Sequence, residues 1–265
     1  MTIAKALTIA GSDSGGGAGI QADIKTFQEL DTFGMSVITA LTAQNTLGVH
    51  GVFPQSLEAI EAQIEAVLSD IGADAVKTGM LFSADIIGLV AQKLKKYSVK
   101  NIVVDPVMIA KGGAALLQEE AVKALIGELL PIATVITPNL PEAAKLLGRA
   151  EMQTIEEMKQ AAIDLHSLGA KNVVIKGGHL TDGPAIDLFY DGITIYELET
   201  KRIETKHTHG TGCTFAAAIA AELAKGRTAK EAVEKAKSFI TAAITLSLDI
   251  GKGIGPTNHS AHRRL

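Results

Sequence analysis

The chain has 265 residues, 47% of them hydrophobic and 20% charged, with a net charge of −4. That composition supplies a sizeable core for one large α/β domain, and a weak negative charge without a basic run excludes a nucleic-acid or anionic-membrane partner. One cysteine excludes an intrachain disulfide, no Cys/His spacing suits zinc, and no apolar run serves as a signal peptide or membrane span, so a soluble cytoplasmic protein is expected.

From the N-terminus, short β-branched apolar runs alternate with longer segments of helical period. ALTIAG (6–11) is the first predicted strand. GSDSGGGAGIQAD (11–23) turns from it into a helix, and Gly17-x-Gly19-x-x-Ala22 fits a loose dinucleotide fingerprint. That fingerprint needs an acid about twenty residues on, and TAQNT, which closes the second strand after MSVITALTA (35–43), has none. The loop is therefore a tight turn or, in preference, a place where backbone approaches a small substrate, with Asp23 offering it a carboxylate.

SLEAIEAQIEAVLSDI (56–71) and SADIIGLVAQKLKKY (83–97) predict helices on either side of a strand at AVKTG (75–79). NIVVDPV (101–107) is the next strand. After it, Lys111 and Gly112 lie in IAKGGAALL (109–117), which reads as a flap that excludes water or as a plain surface loop. EEAVKALIGELL (119–130) predicts a helix, TVITP (134–138) a strand, TIEEMKQAAIDLHSLG (154–169) a helix and NVVIKGG (172–178) a strand. The rhythm then changes. AIDLFYDGITIYELET (185–200) is a hairpin about Asp191-Gly192, and helices at 212–225 and 229–248 close the chain, the second capped by Thr228. These βαβ units predict a mainly parallel sheet covered by helices on both faces, in one domain over residues 1–265. Ligands of such sheets bind at the carboxyl ends of the strands, which here finish in small or polar groups.

HTHGTGCTF (207–215) is the strongest local signal. Gly210 and Gly212 let successive N–H groups converge at the positive end of the next helix. The N–H groups of Gly210, Thr211, Gly212 and Cys213 can then form an anion hole for a transferring phosphoryl group; the alternative is a helix start used for packing. A Walker A loop is absent. His207 and His209 flank the turn without a metal-ligand partner, as hydrogen bonders on the phosphate side or as loop residues.

Taken together, LTIAGSDSGGGAGIQADIKTF (7–27), VITALTAQNT (37–46), VKTGML (76–81), VDPVM (104–108), TPNLPEA (137–143), VIKGGH (174–179) and HGTGC (209–213) resemble the ribokinase-like superfamily. Within it the chain is similar to the bacterial hydroxymethylpyrimidine/phosphomethylpyrimidine kinases of thiamine biosynthesis, whose near relatives are pyridoxal kinases. The resemblance implies a three-layer α/β/α fold and an ATP- and Mg²⁺-dependent kinase for a small aminopyrimidine alcohol and then its monophosphate. A homodimer is usual among such relatives. Pyridoxal or pyridoxine phosphorylation is the alternative or a second activity. A non-catalytic nucleotide sensor is disfavoured by the intact phosphate-handling set.

Carried over by residue, the resemblance makes Gln44 the group that recognises the aminopyrimidine, since a carboxamide offers a donor and an acceptor together. Asp23 would touch the substrate's amino or hydroxymethyl group, and Gly11, Met80 and Val107 would wall the ring unless the last two are ordinary core. Asn139 and Glu142 match an Asn-x-x-Glu pattern in which Glu orients water on Mg²⁺, although a helix-start acid also serves the dipole. Asp105 joins that metal network, Lys176 holds a phosphate oxygen of ATP, and adenine lies near the hairpin and the last two helices.

Cys213 stands where the superfamily commonly has an aspartate base. A thiol at a helix N-terminus is expected to have a lowered pKa and to act as a base near neutral pH, or else it is an inert buried cysteine.

Overall fold

A computed structural model describes residues 3–108, 119–178 and 184–264. Among these residues the sheet has nine strands: β1 (Lys5–Asp13), β2 (Phe33–Asn45), β3 (Gly48–Pro54), β4 (Ala75–Thr78), β5 (Ile102–Val104), β6 (Val135–Ile136), β7 (Val173–Ile175), β8 (Ala185–Tyr190) and β9 (Ile195–Thr200). Their order is β3-β2-β1-β4-β5-β6-β7-β8-β9, parallel from β2 through β7 and antiparallel at both edges.

Alternation along each strand sorts the core into two layers, because successive side chains point to opposite faces. Leu7 and Ile9 of β1, Ile102 and Val104 of β5, and Val173 and Ile175 of β7 join one apolar cluster. Helices α2 (Leu57–Asp70), α3 (Ala84–Lys96), α4 (Glu119–Ala124), α5 (Leu140–Leu147) and α6 (Ile155–Ser167) cover it. Ala6, Val103 and Val174 face the other cluster, under α1 (Gly19–Glu29), α7 (Thr211–Ala224) and α8 (Ala229–Thr245). This is the expected three-layer α/β/α arrangement. Among the described residues no helix is long and apolar enough to cross a membrane.

The helix α7 lies against the sheet, with Ala216 through Ala221 fully buried. Small side chains let its axis approach the strands, so its N-terminus is aimed at their carboxyl ends. Thr228 caps α8 as expected, in a capping box with Glu231.

Two elements depart from the sequence expectation. Strand β3 (GVHGVFP) was not anticipated; its two glycines and proline break the usual strand signature, yet β2 pairs with it from Ala40↔Pro54 to Asn45↔Gly48. An edge strand tolerates such residues because one side of its backbone makes no ladder bonds. The helix expected over 119–130 is regular only to Ala124 and then widens over Leu125–Leu129 before a tight turn at Leu130–Ile132. Pro131, which cannot donate to the preceding turn, ends it.

Candidate functional site

The carboxyl ends of β1, β2, β4, β5, β6 and β7 meet the N-terminus of α7 around two adjoining cavities. The smaller, of about 180 Å³, brings together Gly11, Gln44, Met80, Val107, Asp105 and the 209–213 turn. The larger, of about 550 Å³, opens towards β8, β9 and α8. Asn139, Glu142, Lys176, Thr211 and Gly212 line both, so they form the junction.

In the small pocket the glycine loop after β1 has a use other than binding a dinucleotide. The Asp13 carboxylate accepts hydrogen bonds from the N–H groups of Gly15 (2.8 Å), Gly17 (3.0 Å) and Ala18 (2.9 Å). Burial alone would raise the Asp13 carboxyl, but the His209 hydrogen bond and these N–H groups override it and hold it below its ordinary value. The N–H groups of Gly15, Gly16, Gly17 and Ala18 are thus satisfied by Asp13 and not free for a pyrophosphate. Gly210 adopts φ +80, and a Cβ there would lie 1.7 Å from the Gly17 carbonyl oxygen, so glycine lets this turn pack on the first loop. Gly11 leaves room for Met80, whose Cε would be 2.4 Å from any Cβ at that position.

Asp23 does not reach the pocket, contrary to expectation. It is fully buried, with Oδ2 accepting from Thr8 Oγ1 at 2.6 Å and pairing with Lys77 Nζ at 2.8 Å. The helix that carries it turns its inner face to the sheet, where a carboxylate survives only beside a cation. Lys77 takes its place on the pocket wall. Burial would pull the Lys77 ammonium down, and the Asp23 charge, with Cys213 and Asp105, reverses this and raises it. Strand-end position was the only sequence signal for Lys77.

At the junction Lys176 Nζ lies 3.1 Å from Asp105 Oδ1 and 4.0 Å from Glu142 Oε2. Burial would lower the Lys176 ammonium, but these two carboxylates raise it. Asn139 and Glu142 form a capping box on α5, Asn139 Oδ1 accepting from Glu142 N–H and Glu142 Oε2 from Asn139 N–H. Burial pushes the Glu142 carboxyl up to about 7 despite the Lys176 charge. Among the described residues no group of three or more His, Cys, Asp or Glu side chains converges on a metal position. The Asp105–Glu142 pair fits a hard cation held largely by water and phosphate oxygens, which is how Mg²⁺ is usually bound.

The 209–213 turn starts α7 at Gly210, and Thr214 N–H is the first to bond back, to Gly210 O at 2.9 Å. Of the four expected donors, the Thr211 N–H is aimed at the Thr208 carbonyl at 3.4 Å, leaving those of Gly210, Gly212 and Cys213 as the helix-start donors. Cys213 departs from expectation. Burial pushes its thiol up to about 11, against the pull of the Lys77 charge. Desolvation of a thiolate here outweighs the helix end, so the group is a neutral thiol near pH 7.

His209 is also displaced from its expected role. Its Nε2 lies 2.8 Å from Asp13 Oδ2 and it lines the small pocket, away from the larger cleft. The turn reverses between Thr208 and Gly210, sending the ring towards β1. His207 is a loop residue, its Nδ1 accepting from Gly255 N–H at 3.1 Å.

The larger cleft is walled by Ala185 and Thr200 of the hairpin and by Ile240, Thr241 and Ile244 of α8, where adenine was expected. Sequence reasoning missed Lys237, which lines the cleft and pairs with Asp187 at 2.7 Å. Its helical periodicity gave no sign of a ligand. Lys111 and Gly112, expected in a flap, lie outside the described residues.

Residues 13–258 match the phosphomethylpyrimidine kinase family. The chain is 56% identical over 265 residues to the hydroxymethylpyrimidine/phosphomethylpyrimidine kinase of Bacillus subtilis, covering 100% of this chain and 97% of that one. It is 52% identical over 266 residues to the pyridoxine kinase of the same organism, covering 99% of this chain and 98% of that one. The crystal structure of an ADP complex of Bacillus subtilis pyridoxal kinase superposes with a TM-score of 0.93 at 49% identity, with 100% of both chains covered.

Proposed function

Because this chain belongs to the phosphomethylpyrimidine kinase family, we propose that it transfers the γ-phosphoryl group of ATP to 4-amino-5-hydroxymethyl-2-methylpyrimidine and then to the monophosphate so formed, for thiamine biosynthesis. The observation that carries this reading is the junction. Lys176 and the N-terminus of α7 stand where a small pocket suited to one ring meets a cleft large enough for a nucleotide.

In this reading ATP occupies the larger cleft and its γ-phosphoryl group reaches the junction. The Gly212 and Cys213 N–H groups and the Lys176 ammonium stabilise the charge that spreads over the transferring group. Asp105 and Glu142 would hold Mg²⁺ through water, and the ion would supply neutralisation of phosphate charge. The acceptor lies between Gly11, Met80 and Val107, with Gln44 on its amino edge. Its oxygen forms the new P–O bond as the bond to the β-phosphate oxygen breaks, and in the first transfer the hydroxyl proton, made acidic by that bond, passes to an oxygen of the transferred phosphoryl group and then to water.

The neutral Cys213 thiol suits both transfers. The monophosphate acceptor is already ionised, its second pKa being about 6, so it needs no base. A carboxylate in the thiol's place would repel it. In the first transfer the thiol accepts or donates a hydrogen bond and leaves positioning to do the rest.

The 52% identity to a pyridoxine kinase favours phosphorylation of vitamin B6 alcohols as a second activity. The shared sheet supports one kinase domain, and exposed Leu41, Leu47 and Phe53 on the β2–β3 edge support a homodimer. The deciding experiment measures ATP consumption with the aminopyrimidine alcohol, its monophosphate, pyridoxal and pyridoxine under identical conditions. Turnover of both pyrimidines is expected; absence of turnover on the monophosphate overturns the two-step assignment.

A further inference from the structure

Gln44 ends in a carboxamide set between two polar neighbours, and this inference rests on the aminopyrimidine reading of its pocket. Gln44 Nε2 lies 3.4 Å from His209 Nε2, and Oε1 lies 3.1 Å from Thr42 Oγ1. Both neighbours have already committed their hydrogens. Thr42 has one hydroxyl proton and directs it to the Ser12 carbonyl at 2.8 Å, which can only accept. His209 Nε2 faces the Asp13 carboxylate at 2.8 Å, also acceptor only, so this nitrogen carries a hydrogen whether the ring is neutral or charged. Towards Gln44, therefore, Thr42 presents a lone pair, whereas His209 Nε2, its one hydrogen given to Asp13, offers neither a lone pair nor a free hydrogen.

The two ends of a carboxamide are nearly equal in shape, and a half turn about its last torsion brings the NH2 from beside His209, which cannot accept, to the Thr42 lone pair, which can. We propose that Thr42 locks the Gln44 amide with its NH2 beside Thr42 and its oxygen beside His209, where an NH2 finds no acceptor, and that this lock makes the site select an amino-substituted pyrimidine over the corresponding pyrimidinone. Gln44 lines the small pocket, so the remaining lone pair and N–H of the locked amide are the groups it offers a ring there. They match a ring that offers an exocyclic amino donor next to a ring-nitrogen acceptor. The pyrimidinone offers a carbonyl acceptor next to a ring N–H, the opposite order. A freely turning glutamine accepts either ring, whereas a locked one leaves two donors and two acceptors opposed when the pyrimidinone enters. Thr42 is a positioning residue: it acts through Gln44.

The test measures inhibition constants of the aminopyrimidine alcohol and its 4-oxo analogue against the full-length enzyme. Wild type is expected to prefer the amino ring by about 100-fold, the scale set by unpaired buried polar groups. Thr42→Val should lower that preference by about tenfold, chiefly by improving the oxo analogue. Thr42→Ser, which keeps the hydroxyl, should restore it. A merely structural role would weaken both rings together, and that outcome overturns the proposal. Equal affinity of wild type for the two rings overturns it as well. If a variant fails to fold, nuclear Overhauser contacts in the wild type decide: Gln44 amide protons are expected beside the Thr42 methyl, and their strongest contact to the His209 ring would sink the lock. Failure of the kinase reading itself is separable, because it shows as no phosphorylation of the aminopyrimidine alcohol by wild type.

Discussion

The small pocket and the junction beside it use charge in opposite ways. In the small pocket, polar groups are tied to protein: Asp13 to three backbone N–H groups and His209, and Lys77 to Asp23 behind the wall. At the junction, Lys176, Asp105 and Glu142 neutralise one another at 3.1 and 4.0 Å, bonds that phosphates can exchange for better ones. One region is assembled before ligand arrives; the other holds charges in reserve. Preassembly suits recognition of a rigid ring, since ordering costs are met on folding. Exchangeable pairs suit a ligand that brings charge of its own and leaves after each turnover.

The largest expected effect breaks the preassembled side. Asp23→Asn leaves the buried Lys77 ammonium without its counter-charge and should cost about 3–5 kcal/mol in a denaturant melt, the range for halving a buried ion pair. A loss below about 1 kcal/mol would mean that water or another carboxylate already serves Lys77.

On the exchangeable side, Lys176→Ala should lower kcat/KM by about 10²–10³-fold, or about 3–4 kcal/mol, as for loss of one transition-state donor. The fold should persist, because Asp105 keeps its 3.0 Å bond from Thr137 and Glu142 its capping box. A matching loss of stability in the melt would reassign Lys176 to structure.

A sharper comparison comes from Cys213→Asp. Repulsion of about 1–4 kcal/mol at contact distance predicts a fall of roughly 5- to several-hundred-fold in the monophosphate transfer. Cys213→Ala should slow the two transfers alike. Equal rates of the second step in the Asp variant and wild type would remove the electrostatic reason for a thiol.

The smallest effect concerns pH. Burial raises Glu142 from its usual 4.5 to about 7, so the folded state favours its protonated form. Its contribution to stability is then full below 4.5 and is lost as pH rises through about 7. Melts of wild type and Glu142→Gln should converge at acid pH and separate by about 1–3 kcal/mol above pH 7, the variant being the more stable. Parallel curves would mean that Glu142 is ionised throughout.

Much of this was legible in the chain itself. Alternating β-branched runs and helical periods predicted a parallel sheet with helices on both faces, because those periods follow from backbone geometry alone. Asp191-Gly192 and Thr228 marked a hairpin and a cap through equally local chemistry. Gln44, Met80, Val107, Asn139, Glu142 and Lys176 all converge, since strand ends of one parallel sheet share an edge. Tertiary packing alone decided three things. It turned Asp23 inwards to Lys77, it sent His209 to Asp13, 196 residues away in sequence, and it raised the Cys213 thiol by burial when the helix end by itself would lower it. Each depends on solvent exclusion and on partners distant along the chain, and neither quantity is written in a local pattern of residues.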